Sequence, residues 1–306
     1  MLLVKNVLAA VFMVGVFVQA TQAMDFDPPE IVVLGDSQIP FGSGQAFVDF
    51  FSDIEGNCAP NLAQSMALEP LRDARVGVIG VRSTSIHSWI ARGGAAKNSI
   101  CKVDPKWRVN AGTFGSINTT ENKYVQIGRG EPYQFCTPGQ SAFEAMFAEG
   151  YYAPKLLFMS FLGNATGRWA DSPEKAVADV EEMMAQLPED VPCIFMTTAP
   201  AYSQKIVNRR LRAQMNLMDA FKSTGARCTF IPGATEATVA ANQGNSAHFR
   251  RHSNGRVKDP YHPNKRAAAR FFELQRDNLC NAIFEQIPPM KVASAPTDGV
   301  DVAGVE

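Results

Sequence analysis

The sequence predicts an α/β fold: a three-layer α/β/α sandwich around a central parallel sheet of about five strands. Five short apolar runs are rich in Val, Ile, Leu and Phe and do not alternate with polar residues, which is typical of strands buried on both faces. Helical segments come between the runs, and this alternation favours βαβ units with right-handed crossovers. The predicted strands are Glu30–Leu34, Arg75–Ile79, Lys155–Leu162, Val191–Thr197 and Arg227–Ile231.

Three helices are predicted from their starting signals and apolar spacing. Ser172, Pro173 and Glu174 open a helix that runs to about Leu187, since they supply a cap, a first-turn proline and an acid. Another helix runs from Pro263 to Ile287. The segment from Gln204 to Lys222 is amphipathic. Its predicted apolar side consists of Ile206, Leu211, Met215, Leu217, Met218 and Phe221.

The two ends of the chain are expected to lie outside the fold. Residues 1–23 read as a secretory signal peptide, with Lys5 before an apolar run and small residues that allow cleavage after Ala20 or Ala23. An uncleaved anchor helix is the alternative, although the run is short for a membrane span. Residues 291–306 are small and acidic and predict a disordered tail. One domain, residues 24–290, remains between them.

Within this domain, residues 92–150 break the alternation of strands and helices. This stretch is polar, irregular and rich in glycine, so we interpret it as an insertion, with a short strand predicted at Tyr124–Ile127. The composition, 46% hydrophobic and 19% charged, is that of a globular protein. The net charge of −1 gives no electrostatic case for binding nucleic acid.

The six cysteines fit an exported protein with disulfides. Cys101 and Cys136 bracket part of the insertion and are predicted to close it as a loop. Cys193 and Cys228 lie in successive predicted strands, where two buried free thiols are an equal alternative. Cys58 and Cys280 remain, and the sequence alone does not establish the pairing. Because no CxxC pair occurs, a zinc site is not expected.

A serine stands directly after the first predicted strand, in the turn Gly35-Asp36-Ser37. Open α/β sheets bind their ligands at the carboxyl ends of strands, so Ser37 is a candidate nucleophile. Gly-Asp-Ser is also a common turn sequence, and the tripeptide alone does not decide whether Ser37 is a nucleophile or an ordinary turn residue.

A candidate base lies immediately before the last predicted helix, in the stretch "DPYHPN" at residues 259–264. Asp259 is three residues before His262, a spacing that lets the carboxylate bind one ring nitrogen and leave the other free. Pro260 and Pro263 stiffen the turn. The alternative is that Asp259 and His262 serve only as turn and cap residues.

Together the stretches "GDS" and "DPYHP" resemble the SGNH/GDSL hydrolase family. The resemblance implies a flavodoxin-like strand order, a serine esterase or lipase activity, and a triad of Ser37, His262 and Asp259. It covers residues 30 to 285 apart from the insertion. No cofactor and no metal are implied.

The resemblance also implies an oxyanion hole made by Ser37, Gly80 and Asn164. Gly80 follows the second strand and would offer its backbone N–H, with Gly77 as a competing alignment and a simple turn glycine as the alternative. Asn164 follows the third strand and would offer its side-chain amide. Two departures are visible: Asn164 directly follows Gly163 where the family has Gly-x-Asn-Asp, and Gln38 replaces the family's leucine.

Other residues carry weaker signals. His87 reads as pocket wall or surface. His248 and His252 have metal-ligand spacing, but the intervening Arg250 and Arg251 would repel a cation, so no metal is expected. Those two arginines form a basic lip before Asp259, which would attract an anionic substrate such as an acidic glycan or a phospholipid, or is merely a solvated loop. Trp169 is a candidate for stacking on a sugar, with plain packing as the alternative.

The sequence therefore predicts a secreted or periplasmic serine esterase that hydrolyses an O-acyl, foremost an O-acetyl, ester. The expected partner is a small-molecule or glycan ester of the cell envelope, without nucleic acid and without stable membrane insertion; the oligomeric state is open. Two other readings remain: an acyltransferase with the same serine chemistry, and a non-catalytic glycan-binding protein on the same fold.

Overall fold

The computed structural model describes residues 29–92, 139–148 and 152–288, together with the backbone of residues 113–116. The predicted signal peptide, the tail, Tyr124–Ile127, Cys101 and Cys136 lie outside the described residues. The strands are β1 Ile31–Gly35, β2 Val76–Gly80, β3 Thr113–Ser116, β4 Leu156–Ser160, β5 Cys193–Met196 and β6 Thr229–Ile231.

The strands form one sheet in the order β3-β2-β1-β4-β5-β6. The five strands other than β3 pair in parallel, and their order is the predicted flavodoxin-like one. The α/β class and the parallel sheet are therefore confirmed. β3 pairs antiparallel with β2 at the edge, so part of the predicted irregular insertion extends the sheet.

Helices cover both faces of the sheet. The first five are α1 Gly44–Phe51, α2 Ile54–Cys58, α3 Leu62–Ala67, α4 Ile86–Ile90 and α5 Ala142–Phe147. The next five are α6 Thr166–Asp171, α7 Pro173–Gln186, α8 Gln204–Thr224, α9 Glu236–Asn242 and α10 Lys265–Gln286. Helix α5 lies within the stretch predicted to be irregular; Ser141 caps it by accepting the Glu144 N–H, so that prediction is wrong at residues 142–147.

The two faces of the sheet bury separate hydrophobic clusters, because successive side chains of a strand point to opposite sides. Val32 and Leu34 of β1 pack with residues of α4–α8. Ile31 and Val33 pack on the other side with residues of α1 and α10. The clusters fix both helical layers and hold the carboxyl ends of the parallel strands at one edge.

Only some of the residues on the predicted apolar side of α8 are buried, so the prediction is partly wrong. Leu217 and Phe221 are buried as expected, but Met215 and Met218 are 56% and 44% exposed. The buried side also carries two polar residues, Arg210 and Gln214. Both donate hydrogen bonds to backbone carbonyls, which satisfies them in the interior and turns the helix away from the face that hydrophobicity alone selects.

Among the residues that the structure describes, two disulfides join distant parts of the chain. Cys58 at the end of α2 is bonded to Cys280 in α10, across 222 residues. Cys193 in β5 is bonded to Cys228 just before β6, across 35 residues. The second pair settles the choice between a disulfide and free thiols in favour of the disulfide.

In the part of the chain that the structure describes, no helix combines the length and the apolar character needed to cross a membrane.

Replacing Cys58 and Cys280 by alanine is expected to lower the free energy of unfolding by about 5 kcal/mol, because the bond closes a very long loop in the unfolded chain. Urea unfolding without reductant measures this. The matched control is the Cys193→Ala/Cys228→Ala pair, whose shorter loop predicts a smaller loss of about 4 kcal/mol. A loss below about 1 kcal/mol for the first pair would contradict the prediction.

Candidate active site

The turn after β1 carries Ser37 at the carboxyl edge of the sheet. Gly35 ends the strand with no room for a side chain, because a Cβ there would lie 2.7 Å from the Ser160 carbonyl oxygen. The chain then turns, and the Phe41 N–H donates to the Ser37 carbonyl at 3.3 Å. A π-helical turn, Ile39–Ser43, leads into α1. Ser37 is thereby fixed by backbone contacts on both sides and is 8% exposed.

The segment 259–262 returns from a hairpin formed by residues 249–258, which is buried at Phe249 and exposed over residues 250–256. Arg251 pairs with Val257 in this hairpin, and Phe249 pairs with Pro263 at its base. Within the returning segment, the Asp259 carboxylate accepts hydrogen bonds from the backbone N–H groups of Tyr261 and His262. These bonds form the tight turn that proline and aspartate predict.

The turn and the returning segment bring Ser37, His262 and Asp259 together. The Ser37 Oγ lies 2.8 Å from His262 Nε2, and His262 Nδ1 lies 2.8 Å from Asp259 Oδ2. A carboxylate only accepts hydrogen bonds, so Nδ1 carries the ring proton and donates to Asp259. Nε2 is then the acceptor for the Ser37 hydroxyl proton, as a general base requires.

The environment of Asp259 favours its charged form. Burial, the largest influence, opposes ionisation, but the hydrogen bonds from the His262 ring and the Tyr261 N–H outweigh it and hold the pKa of this carboxyl below its usual value. Asp259 is therefore ionised at neutral pH. It stabilises the imidazolium that forms when His262 takes a proton.

The turn after β1 that carries Ser37, called the nucleophile turn, packs directly on the segment that carries His262. A Cβ at Gly42 would lie 2.3 Å from the Pro263 carbonyl oxygen, so only glycine permits this approach. The Phe41 ring lies 4.4 Å from the His262 ring, measured between centroids. The Arg82 guanidinium lies over the Phe41 ring, 4.7 Å from its centre.

Gly80 is the last residue of β2 and pairs with Gly35. A side chain there would collide with the nucleophile turn, since its Cβ would lie 2.3 Å from Ile39 Cβ. The next residue, Val81, donates its N–H to the Gly35 carbonyl. Because successive amides of a strand point in opposite directions, the Gly80 N–H points away from β1. The glycine therefore has a packing role, and its role as an oxyanion donor stays a prediction.

Asn164 lies in a short turn, Gly163–Ala165, after β4 and is exposed. Its side-chain Nδ2 donates to the Thr84 carbonyl at 2.8 Å, which orients the amide and joins this turn to the one after β2. The amide has a second N–H, which this bond does not use. The neighbouring Gly163 N–H donates to Asp36, directly beside Ser37.

Two buried ionisable residues that no sequence pattern indicates, Asp36 and Arg210, lie next to these turns. Asp36 is 1% exposed and accepts the N–H groups of Gln38 and Gly163, both at 2.9 Å. Arg210 of α8 is 3% exposed and donates to the carbonyls of Ala199 and Tyr261. Burial raises the pKa of Asp36, while its amide donors and the Arg210 charge oppose the rise. Burial lowers the pKa of Arg210.

Trp169 and His87 belong to a structural cluster around Asp179. Trp169 is fully buried and donates its indole N–H to Asp179, so the expectation that it contacts a substrate is wrong. His87 Nδ1 lies 3.0 Å from the same carboxylate, and Arg168 donates two hydrogen bonds to it. Burial, the largest influence, opposes the charge of Asp179, but these donors outweigh it and lower its pKa.

The remaining predicted residues lie on or near the hairpin. Arg250 and Arg251 are exposed, beside the segment 259–262, and the Arg250 carbonyl accepts the Lys258 N–H at 2.7 Å. His248 is buried and its Nδ1 is hydrogen-bonded to Asn242, while His252 is exposed. The two histidines therefore do not face a common site.

Comparisons with known proteins add little to this geometry. No family model matches the chain, and no curated protein matches it. Among solved structures, a DUF4886 family protein from Bacteroides uniformis is 13% identical, with 90% of each chain covered and a TM-score of 0.39. A family two carbohydrate esterase from Clostridium thermocellum is 12% identical, with 85% of this chain and 66% of that chain covered and a TM-score of 0.39.

An aryl esterase from M. smegmatis is 8% identical, with 82% of this chain and 98% of that chain covered and a TM-score of 0.40. At such identities and TM-scores these likenesses carry no weight for function.

Proposed function

We propose that the protein is an exported serine esterase of the SGNH type that hydrolyses O-acyl esters. The observation that carries the proposal is the continuous hydrogen-bonded series from Ser37 Oγ through both nitrogens of His262 to Asp259. A nucleophile, a base in the correct tautomer and an ionised orienting group are the three parts that acyl transfer requires.

The reaction proceeds in two halves. Ser37 Oγ attacks the ester carbonyl carbon while its proton passes to His262 Nε2. The tetrahedral intermediate collapses, the bond to the alcohol oxygen breaks, and His262 returns the proton to the leaving alcohol. Water then attacks the acyl-serine with His262 as base, which releases the carboxylic acid and restores the Ser37 hydroxyl.

An oxyanion hole is proposed from the backbone N–H of Ser37 and the amide of Asn164. The predicted third donor, the N–H of Gly80, points away from β1 and would contribute only if the turn after β2 rearranged. The proposal is best supported for Asn164, because its amide is oriented by Thr84 and its neighbour Gly163 binds Asp36. Such donors act on the charge that develops on the carbonyl oxygen in the transition state, not on the substrate in its ground state.

The proposed substrate is a short O-acyl ester, such as an O-acetyl group, on a carbohydrate of the cell envelope. Ser37 is 8% exposed and is enclosed by its own turn and the Phe41–His262 contact, which favours a small acyl group. Two disulfides support an oxidising compartment, secreted or periplasmic. An acyltransferase with the same triad is the second candidate, and the ratio of hydrolysis to transfer in the presence of a sugar acceptor separates the two.

Ser37→Ala and His262→Ala are each expected to reduce kcat for 4-nitrophenyl acetate by about 10⁵-fold or more, because nucleophile and base act as one unit. Asp259→Asn is expected to retain more activity, with a loss of about 10³–10⁴-fold. Steady-state kinetics measure this, with exposed His252→Ala as the matched histidine control. Wild-type activity in Ser37→Ala would support the third candidate, a non-catalytic glycan-binding protein with a contaminating esterase.

Asn164→Ala is expected to lower kcat by about 10²–10³-fold while KM changes little, because the amide acts on the charged transition state. Asn208→Ala, an exposed asparagine of α8, is the control and should leave kcat unchanged. The melting temperature is measured alongside. If Asn164→Ala retains wild-type kcat, the turn after β4 supplies no oxyanion donor.

A basic lip beside the triad is proposed to favour an anionic ester. Arg250 and Arg251 are exposed on the hairpin, and the chain contains no acidic residue between Glu236 and Asp259. Such a local excess of one charge raises the concentration of an oppositely charged substrate near the site.

Replacing Arg250 and Arg251 by glutamine is expected to lower kcat/KM for a carboxylate-bearing acetyl ester by about 10-fold and to leave a neutral acetyl ester unaffected. The preference in wild type should weaken as salt increases. The charge-matched control is Lys222→Gln/Arg276→Gln, at exposed positions of α8 and α10. Equal losses for neutral and anionic esters would contradict the role of the lip.

A further inference from the structure

We propose that Arg210 is a positioning residue of the active site, which holds the segment carrying His262 in place relative to the turn carrying Ser37. The inference rests on the proposed esterase function, because it concerns the geometry of the same triad. Among the described residues, the hydrogen bonds of Arg210 go to backbone carbonyls and not to the triad side chains, so it acts chiefly through the backbone that carries them, while its charge also favours the ionised form of Asp259.

The guanidinium reaches both halves of the site. Its Nη2 donates to the carbonyl of Tyr261, the residue between Asp259 and His262, at 3.3 Å. Its Nη1 donates to the Ala199 carbonyl at 3.1 Å. The same Ala199 carbonyl accepts the side-chain amide of Gln38, the residue after Ser37, also at 3.1 Å. One carbonyl thus joins Arg210 to the nucleophile turn.

The buried carboxylate of Asp36 provides the second link to the nucleophile. Both charged groups meet at Gly163: a Cβ there would lie 3.1 Å from Asp36 Oδ2 and 3.4 Å from Arg210 Nη2. Only glycine leaves this space between them. Because the two groups have almost no access to water, their attraction is screened far less than that of a surface pair.

A charge that is 3% exposed is expensive to bury, and apolar residues would fill the same space at lower cost. The buried guanidinium instead fixes the geometry of the backbone around it. The planar guanidinium has fixed donor directions, so it sets the distance between the Tyr261 and Ala199 carbonyls more rigidly than a lysine would. Small displacements of a base from its nucleophile reduce rates strongly, by about 10²-fold for about 1 Å.

Gln214 offers a matched comparison on the same helix. It lies one turn further along α8, is 6% exposed, and binds backbone as Arg210 does. Its partners are Thr197 and Ala234, and neither of them adjoins a triad residue in the sequence. A purely structural role for buried polar groups of α8 predicts the same outcome for both residues, whereas the positioning role predicts different outcomes.

The experiment compares Arg210→Met, Arg210→Lys and Gln214→Met in the full chain, with kcat and KM for 4-nitrophenyl acetate and the melting temperature as readouts. Arg210→Met is expected to lower kcat by about 30–100-fold with KM within about 3-fold of wild type. Arg210→Lys should recover part of this loss, because it restores the charge opposite Asp36 but cannot span both carbonyls. Gln214→Met should lower the melting temperature and keep kcat.

A wild-type kcat in Arg210→Met, or equal losses of kcat in Arg210→Met and Gln214→Met, overturns the proposal. If Arg210→Met does not fold, Arg210→Lys decides: a kcat at least about 5-fold below wild type at unchanged KM supports the positioning role, and a wild-type kcat overturns it. Failure of the esterase function itself is distinct, because wild type would then hydrolyse none of the esters.

Discussion

The carboxylate of Asp36 joins the ends of two parallel strands where water has almost no access. It accepts the N–H of Gln38 in the turn after β1 and the N–H of Gly163 in the turn after β4. A buried carboxyl group is tolerated only when its oxygens are hydrogen-bonded, so the two turns cannot separate without leaving a buried polar group unsatisfied. The positions of Ser37 and Asn164 follow from this constraint, since each adjoins one of the two turns.

The parallel sheet makes this arrangement possible. Its two hydrophobic clusters fix five parallel strands so that their carboxyl ends lie at one edge, and residues far apart in sequence meet there. Glycines then remove the side chains that would keep the segments apart: Gly42 meets Pro263, and Gly80 meets Ile39. The site therefore depends on close backbone packing as much as on the side chains that perform the chemistry.

The sequence predicts much of this architecture because its strongest signals are local. Short apolar runs predict the five parallel strands. Two turns rich in small residues and proline indicate Ser37, Asp259 and His262 as candidate site residues. Features that depend on tertiary partners were not predictable. Arg210 and Gln214 fall on the predicted polar side of an amphipathic helix. They are nevertheless buried, because backbone carbonyls from other elements accept their hydrogen bonds. For Trp169 the sequence leaves stacking on a sugar and plain packing open, because nothing near it in sequence reveals Asp179 as its partner.

The role of Ser37 as the nucleophile is tested most directly by covalent labelling. A fluorophosphonate reacts with a serine hydroxyl only when an adjacent base removes its proton, and the products are identified by mass mapping of peptides. We expect one phosphonyl group per chain, on Ser37, with esterase activity lost in proportion to labelling and no labelling in His262→Ala. Labelling of a different residue, or full activity after Ser37 is modified, would contradict it.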